Sequence, residues 1–208
     1  MFNCCFCDIA NGISEEEYDK VIYQTENFFV ITSLGAFVEG YLLVIPKKHI
    51  VSIAKLGQKQ ISELESIKEK INMLYKKYYN TNAIIFENGN CSNKGLFKDS
   101  ISHAHLHFVP NLKNKNYFKE IFGNVEYIKM QNYSQLKNYK NNSYIFYQYD
   151  ENNLYITIER KKFHRQHIRN IIAKDFGNIE YNWRKEGYIQ LCVETIKKFI
   201  KYFDNKNI

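Results

Sequence analysis

Three histidines alternate with apolar residues in one short segment of the chain, His103-Ala104-His105-Leu106-His107. Side chains on a β-strand point alternately to its two faces, at a rise of about 3.3 Å per residue. On such a strand the three imidazoles share one face, with their α-carbons roughly 6–7 Å apart. Half of the six histidines lie in these five residues, a clustering that scattered surface histidines rarely produce.

A row of imidazoles supports two kinds of chemistry. Three histidines can hold one metal ion, as in mononuclear zinc sites, but a straight strand does not easily bring three rings onto one tetrahedral ion. Alternatively, one unprotonated imidazole attacks phosphorus and forms a labile phosphoramidate. Its neighbours then hold the phosphate oxygens and protonate the leaving group. We favour this second chemistry because no carboxylate motif completes a metal site here.

A second cluster of reactive groups, Cys4, Cys5 and Cys7, lies at the start of the chain. Cys4 and Cys7 have the Cys-x-x-Cys spacing that binds one metal ion from a tight turn, and Cys5 with Cys7 is the alternative pair. With no export signal evident, the odd number of five cysteines argues against a disulfide framework. Cys192 lies on the apolar face of a predicted helix and is expected to be a small core residue.

Hydrophobic periodicity predicts the elements that position these groups. From Gln58 to Tyr79, apolar residues recur every three or four positions and predict a long amphipathic helix. Residues 88–95 predict a polar loop, and the two prolines, Pro46 and Pro110, each predict the end of a strand. Short β-branched or aromatic runs, or alternation, predict strands at residues 21–23, 28–32, 41–45, 83–86 and 103–109.

The chain changes character at an Asn- and Lys-rich stretch, residues 111–116. Residues 1–112 carry 11 lysines and 12 acidic residues, net −1, whereas residues 113–208 carry 18 Lys and Arg and 10 acidic residues, net +8. We therefore predict a domain at 1–112 and a basic C-terminal extension at 113–208. Strands at 144–149 and 154–158, a basic helix at 163–173 and an amphipathic last helix make this extension α/β in character.

The composition also bears on partners and location. A basic extension attracts phosphate-bearing partners such as nucleic acid, although a solvated charged face is the ordinary alternative. The longest apolar run is far shorter than the roughly 20 residues that span a membrane. No secretory signal is evident, and Phe2 does not fit N-myristoylation. We therefore expect a cytoplasmic protein with no membrane partner.

Three segments together resemble the histidine triad (HIT) family of nucleotide hydrolases and transferases. Residues 100–110 are similar to its histidine signature, residues 42–50 to its Ile-Pro-Lys-x-His segment, and residues 4–9 to its Cys-x-Phe-Cys-x-Ile opening. They follow the family's order and spacing over about residues 1–112. The resemblance implies an α+β fold with an antiparallel sheet and a long helix, a nucleotide or dinucleotide substrate, and a homodimer.

The resemblance also implies roles for individual residues. The middle histidine of the triad attacks the α-phosphate, which makes His105 the nucleophile. His107 is then a phosphate contact or proton donor, and Ser100 stands where a serine usually touches the phosphate. Asn88 and Asp99 are further candidate substrate contacts, although Asp99 stands where many members have Gln.

A structural zinc ion is implied in the same way. In zinc-containing members, the Cys-x-x-Cys pair is completed by the histidine after the Ile-Pro-Lys segment and by the first triad histidine. The matching residues here are Cys4, Cys7, His49 and His103. Such a Cys2His2 site is closed and therefore structural, and it would fix the backbone that carries His105.

Two positions depart from the family pattern. Ser33 stands near the place of an acidic residue that holds the ribose hydroxyls in many members, and a familiar Gly-His pair appears as Gly40-Tyr41. The chemistry is therefore better supported than the specificity. We expect a hydrolase or transferase that forms a nucleotidyl-His105 intermediate on a phosphoanhydride, phosphoester or phosphoramidate bond.

The alternative is a nucleotide- or nucleic-acid-binding module with little catalysis. It would use the cation-dense residues 160–169. Two other roles for these residues are a contact to a distal phosphate of a substrate and a charged helix face. Within this segment, His164 and His167 are interpreted as ordinary surface residues on a helix. A steep loss of binding with rising salt would distinguish this module from an enzyme.

Overall fold

One antiparallel sheet of eight strands runs through the part of the chain that the computed structural model describes, residues 4–92, 101–164, 166–178, 182 and 188–204. The strands lie in the order β1-β2-β3-β5-β4-β7-β8-β6. In chain order they are β1 (Tyr23–Gln24), β2 (Phe28–Thr32), β3 (Leu42–Pro46), β4 (Ala83–Gly89), β5 (Leu106–Pro110), β6 (Ile128–Met130), β7 (Tyr144–Gln148) and β8 (Leu154–Thr157). This sheet with its helices confirms the predicted α+β class.

Helices cover both faces of the sheet. They are α1 (Cys5–Ala10), α2 (Gln58–Tyr79), α3 (Phe118–Phe122), α4 (His167–Lys174) and α5 (Ile189–Asp204). The bounds of α2 are those that the periodicity predicts. Gly57 precedes it, with its N–H donating to Gln60 Oε1 at 3.1 Å, and Asn80 ends it in the left-handed conformation at φ 53°.

Two hydrophobic cores lie on opposite faces because side chains alternate along every strand. The first face is covered by α2 and by the later turns of α5, through Ile196, Phe199 and Tyr202. The second, which we call the triad face, carries His107 and is covered by α1, α3 and α4. Cys192 packs into the core of the triad face and is fully buried, as predicted.

The sheet continues from residues 1–112 into the extension. Strand β7 pairs with β4 over five residues, from Ile85 with Gln148 to Gly89 with Tyr144. Helix α4 adds Ile168, among other apolar residues, to the core of the triad face. The extension therefore shares one sheet and one core with the first part, while the division into two domains at residue 112 stays a prediction.

The extension also holds the loop between β2 and β3. Arg169 Nη2 donates to Ser33 Oγ at 3.2 Å and to the Gly35 carbonyl at 2.7 Å. Farther along the loop, the N–H of Gly40 donates to Thr195 Oγ1 at 2.9 Å. These contacts join α4 and α5 to a loop more than 130 positions earlier in the chain. The extension therefore packs directly against the first part of the chain.

The predicted start of the loop at residues 88–95 is wrong, because β4 extends through Asn88 to Gly89. Both residues pair with β7, a partner that local sequence cannot reveal. Gly89 suits this place because a Cβ there would meet the ring of Tyr144 at 2.3–2.7 Å. The prolines do end their strands, since Pro46 and Pro110 are the last residues of β3 and β5.

Two further element boundaries differ from the prediction. Strand β5 begins at Leu106, so His103 and His105 lie just before it. The basic helix begins at His167, which leaves His164 outside it. His164 is exposed as predicted, but the interpretation of His167 as a surface residue is wrong, because His167 is half-buried and its Nε2–H donates to the Ile121 carbonyl at 2.9 Å.

Within the described residues, we find no helix with both the length and the apolar character that crossing a bilayer requires.

A chain that ends at residue 112 tests whether the first part folds alone. We expect it to aggregate or to lose cooperative unfolding, because the edge of β4 would be unpaired and the triad face would lose the cover of α3 and α4. The measurement is thermal unfolding by circular dichroism, with light scattering, beside the full chain. A monomeric fragment that unfolds cooperatively would contradict this expectation.

Glu87 provides a test of stability against pH. It is buried, and that burial raises its pKa to about 7 although the Tyr144 hydroxyl and the Ile53 N–H both donate to it. The native state therefore binds a proton more tightly than the unfolded state, whose glutamate titrates near 4.5, and the free energy of unfolding falls as pH rises between these values. Glu87→Gln has nearly the shape of the protonated glutamate but cannot ionise, so it removes this fall in the free energy of unfolding with pH.

We expect the stability of Glu87→Gln relative to wild type to rise by roughly 2–3 kcal/mol from pH 5 to pH 8. Urea unfolding at several pH values measures the difference. The exposed Glu69→Gln is the matched control and should show no such trend. A difference for Glu87→Gln that is flat with pH would contradict the raised pKa.

Candidate active site and metal centre

His105 lies immediately before β5 with its ring orientation fixed by the backbone. Its Nδ1 is 2.8 Å from the carbonyl oxygen of His103. Only a protonated Nδ1 can donate to a carbonyl, so the neutral ring keeps its lone pair on Nε2. The residue is half-buried.

The surroundings of His105 favour the unprotonated ring. Burial lowers its pKa to about 4, the hydrogen bond to the His103 carbonyl opposes this shift, and the positive charge of Arg169 adds to it. At neutral pH the imidazole is therefore uncharged. An uncharged imidazole with a defined lone pair is the form that attacks phosphorus.

His107, the second residue of β5, is buried against aromatic rings. Its ring stacks on Phe86 with centroids 4.4 Å apart and an angle of 13° between planes. Its Nδ1 lies 2.9 Å from the hydroxyl oxygen of Tyr41, and its centroid lies 4.8 Å from that of His105. Burial lowers the pKa of His107 well below its usual value, and the charges of His105 and Arg169 lower it further.

Helix α1 packs directly on the triad. The ring of Phe6 contacts His103 and His105 edge-on, with centroids 5.8 Å and 5.3 Å away. Phe6 is buried in the core of the triad face, so it anchors the helix that carries the cysteines. The N-terminal turn and the triad are therefore one packed unit.

The four residues predicted to hold zinc come together beside this unit. One ligand atom from each of Cys4, Cys7, His49 and His103 lies within 4.8 Å of the other three. Cys4 Sγ is 3.4 Å from His103 Nδ1, and Cys7 Sγ is 3.3 Å from His49 Nδ1. Cys5 is exposed and outside this cluster, so the structure brings together Cys4 and Cys7 rather than the alternative pair.

These distances and this donor set fit a tetrahedral zinc ion. With Zn–S of about 2.3 Å and Zn–N of about 2.0–2.1 Å, sulfur and nitrogen ligands lie about 3.5 Å apart. His103 Nε2–H donates to the Pro46 carbonyl at 2.8 Å, which leaves Nδ1 unprotonated toward the sulfurs. Burial, together with Cys4, raises the pKa of Cys7 to about 11 without a metal, so the ion would have to displace the thiol proton.

Asn88 lies on the triad face, where it can meet a ligand near His105. Phe86 pairs with His107 in the register of β4 and β5, and Asn88, two residues farther along β4, lies on the same face at the level of His105. Its Oδ1 is buried and has no hydrogen-bond partner among the described residues. A buried amide oxygen of this kind is suited to accept a hydrogen bond from a ligand.

Two predicted site residues, Ser100 and Asp99, lie outside the described residues. Their roles as a phosphate contact and a substrate contact stay predictions.

Sequence reasoning did not place Arg169 in the site. It is 8% exposed, and its guanidinium carbon lies 5.5 Å from the centre of the Tyr41 ring. A signal was available, because Arg169 precedes Ile172 and Ala173 by three and four residues and so lies on the apolar face of α4. Tyr41 was noted only as a departure from the family's Gly-His pair.

Comparison with known proteins identifies the family. The family model described as "Scavenger mRNA decapping enzyme C-term binding" matches residues 3–123. An uncharacterized HIT-like protein of Mycoplasma genitalium is 33% identical over 111 residues, which are 52% of this chain and 72% of that protein. This chain belongs to the histidine triad family.

Two further proteins are similar to parts of this chain. The bis(5'-adenosyl)-triphosphatase of Dictyostelium discoideum is 23% identical over 94 residues, which are 45% of this chain and 61% of that protein. A solved zinc-bound histidine triad family protein from Mycobacterium smegmatis is 23% identical, with a TM-score of 0.43. That match covers 67% of this chain and 91% of the solved one.

Zinc content tests the metal site independently of activity. We expect about one zinc ion per chain after purification, and its loss in Cys4→Ser because a hydroxyl is a poor replacement for a buried thiolate ligand. Elemental analysis with protein quantification measures this. Cys5→Ser is the matched control and should keep the ion. Equal zinc in Cys4→Ser and Cys5→Ser would contradict the assignment.

Proposed function

We propose that this protein cleaves a nucleotide substrate through a covalent nucleotidyl-His105 intermediate, as a hydrolase or transferase. The observation that carries the proposal is the hydrogen bond from His105 Nδ1 to the His103 carbonyl, which keeps the lone pair on Nε2. Membership of the histidine triad family supports nucleotide chemistry at the level of the family.

The reaction has two displacements at one phosphorus. Nε2 of His105 attacks the α-phosphorus, a P–N bond forms, and the bond to the leaving group breaks with its electron pair. Water, or a second phosphate in a transferase, then attacks the same phosphorus and displaces His105. Hydrolysis thus yields a nucleoside monophosphate and regenerates the neutral ring.

His107 acts in this scheme as a contact to phosphate oxygens rather than as the acid. Its lowered pKa keeps the ring neutral, and a neutral imidazole is a weak proton donor. If the Tyr41 hydroxyl donates to Nδ1, the proton of His107 lies on Nε2 and can bond a phosphate oxygen. Leaving groups that depart as stable anions suit this arrangement, so a phosphoanhydride bond is the best candidate.

The names of one relative and of the matching family model agree with a phosphoanhydride substrate. One relative is a bis(5'-adenosyl)-triphosphatase, and the matching family model is named after a scavenger mRNA decapping enzyme. We therefore propose a dinucleoside polyphosphate, or a capped nucleotide, as the substrate class. Cys4, Cys7, His49 and His103 would hold a zinc ion, which would give structural support and take no part in the displacement.

A second candidate is the nucleic-acid-binding module. It is favoured by a surface cavity of about 410 Å³ in the extension, lined in part by Arg160, Lys161 and Lys162. Affinity for RNA that falls steeply with salt, without turnover of nucleotides, would support it over the enzyme.

The predicted homodimer and cytoplasmic location stay predictions. The structure limits how a dimer can form, because β4 is already paired by β7 and the outer strands of the described sheet are β1 and β6. A dimer that extends this sheet would have to use one of these two strands.

His105→Ala tests the nucleophile. We expect kcat for diadenosine triphosphate to fall by about 10³-fold or more, because the variant lacks the proposed nucleophile. The exposed His164→Ala is the matched control and should turn over like wild type. Circular dichroism of both variants checks folding.

Mass spectrometry of acid-sensitive adducts adds a direct measurement. Wild-type protein quenched during turnover should carry one nucleotidyl group on the peptide that contains His105. An unchanged kcat in His105→Ala, or an adduct on another residue, would contradict the proposed mechanism.

A further inference from the structure

Arg169 brings a positive charge from the extension to the triad. It lies on α4, and only 8% of it is exposed. Its guanidinium carbon is 5.5 Å from the centre of the Tyr41 ring, within the range of a cation–π contact. Tyr41 in turn meets His107, with 2.9 Å between the hydroxyl oxygen and Nδ1.

Two hydrogen bonds define the position of this guanidinium. Nη2 donates to Ser33 Oγ at 3.2 Å and to the Gly35 carbonyl at 2.7 Å, both in the loop between β2 and β3. These two acceptors are neutral groups of the loop, and they orient the guanidinium. The charge of Arg169 also interacts electrostatically with the triad, where it contributes to the lowered pKa of His107.

A fixed, partly desolvated guanidinium next to a phosphoryl site is suited to binding phosphate. Its N–H groups match the oxygens of a phosphate in pairs, and its charge does not titrate at physiological pH. Low local dielectric strengthens the attraction compared with a solvated lysine. Negative charge that develops on the phosphate during displacement would be stabilised in the same way.

We propose that Arg169 binds a phosphate of the nucleotide in the triad pocket, so that the extension supplies a substrate-binding residue to the catalytic site. The inference rests on the proposed function for the location of the nucleotide. It goes beyond that function because it assigns phosphate recognition to a residue outside the family match, which ends at residue 123.

A buried cation on the opposite face of the sheet provides the matched control. Lys68 lies on α2, is 9% exposed, and has its Nζ 5.4 Å from the centre of the Tyr133 ring. Its Nζ also donates to Glu151 Oε2 at 3.1 Å. Loss of the Lys68 charge therefore has a structural cost similar in kind to loss of Arg169, but it should not alter binding at the triad.

The experiment measures calorimetric affinities of the full chain for adenosine, AMP and ADP. We expect wild type to bind AMP at least about 10-fold more tightly than adenosine, which corresponds to about 1.4 kcal/mol. Arg169→Gln should reduce this ratio to about twofold or less, whereas Lys68→Gln should keep it. If instead the ratio of the affinities for ADP and AMP depends on Arg169, the contact is with the second phosphate rather than the first.

A measurement on the wild-type chain covers the case in which Arg169→Gln does not fold. The chain has four arginines, so side-chain Nε signals of arginine labelled with nitrogen-15 are few enough to resolve. Arg169→Lys identifies the signal of Arg169. We expect AMP to shift that signal and adenosine to leave it in place.

The inference is overturned if AMP leaves the Arg169 signal unmoved, if Arg169→Gln keeps the wild-type ratio, or if wild type binds AMP no better than adenosine. These outcomes differ from failure of the proposed function. Nucleotide turnover with an unmoved Arg169 signal would remove the inference alone. Affinity for AMP that depends on Arg169, without any turnover, would remove the proposed function alone.

Discussion

The hydrogen bond between His105 and the backbone of its neighbour is the interaction on which the site depends. It assigns the proton to Nδ1, but it can do so only if the His103 carbonyl stays in place. That backbone is held from both sides, since the His103 ring donates to the Pro46 carbonyl and the Ala104 N–H donates to the Ile50 carbonyl at 2.7 Å. The cluster of Cys4, Cys7, His49 and His103, the end of β3 and the ring of His105 are thus connected through one short backbone segment.

Local pattern was sufficient for the parts of the site that are close in sequence. The alternation of histidines with apolar residues, and the small number of histidines in the chain, pointed to His103, His105 and His107. The regular spacing of apolar residues predicted both ends of α2 correctly. The structure differs where the deciding partner is distant. The strand at Asn88 exists because β7 pairs with it, and His103 leaves the sheet because its ring turns toward Cys4 and Pro46. No window of sequence contains both partners of these contacts.

The extension has a larger part in the molecule than its separate composition indicates. Its strands lengthen the sheet, its helices cover the triad face, and Arg169 and Thr195 hold the loop between β2 and β3. The basic charge noted in the sequence is consequently not only a solvated surface. One of its cations, Arg169, is buried beside Tyr41, whose hydroxyl oxygen lies next to His107 Nδ1.

The pairing of β4 with β7 has a consequence for the assembly of this protein. The strand that lies beside β5 obtains its outer neighbour from the same polypeptide, so no second molecule is needed to complete that side of the sheet. The backbone that carries Phe86 and Asn88 thus has its hydrogen-bonded neighbours within a single polypeptide.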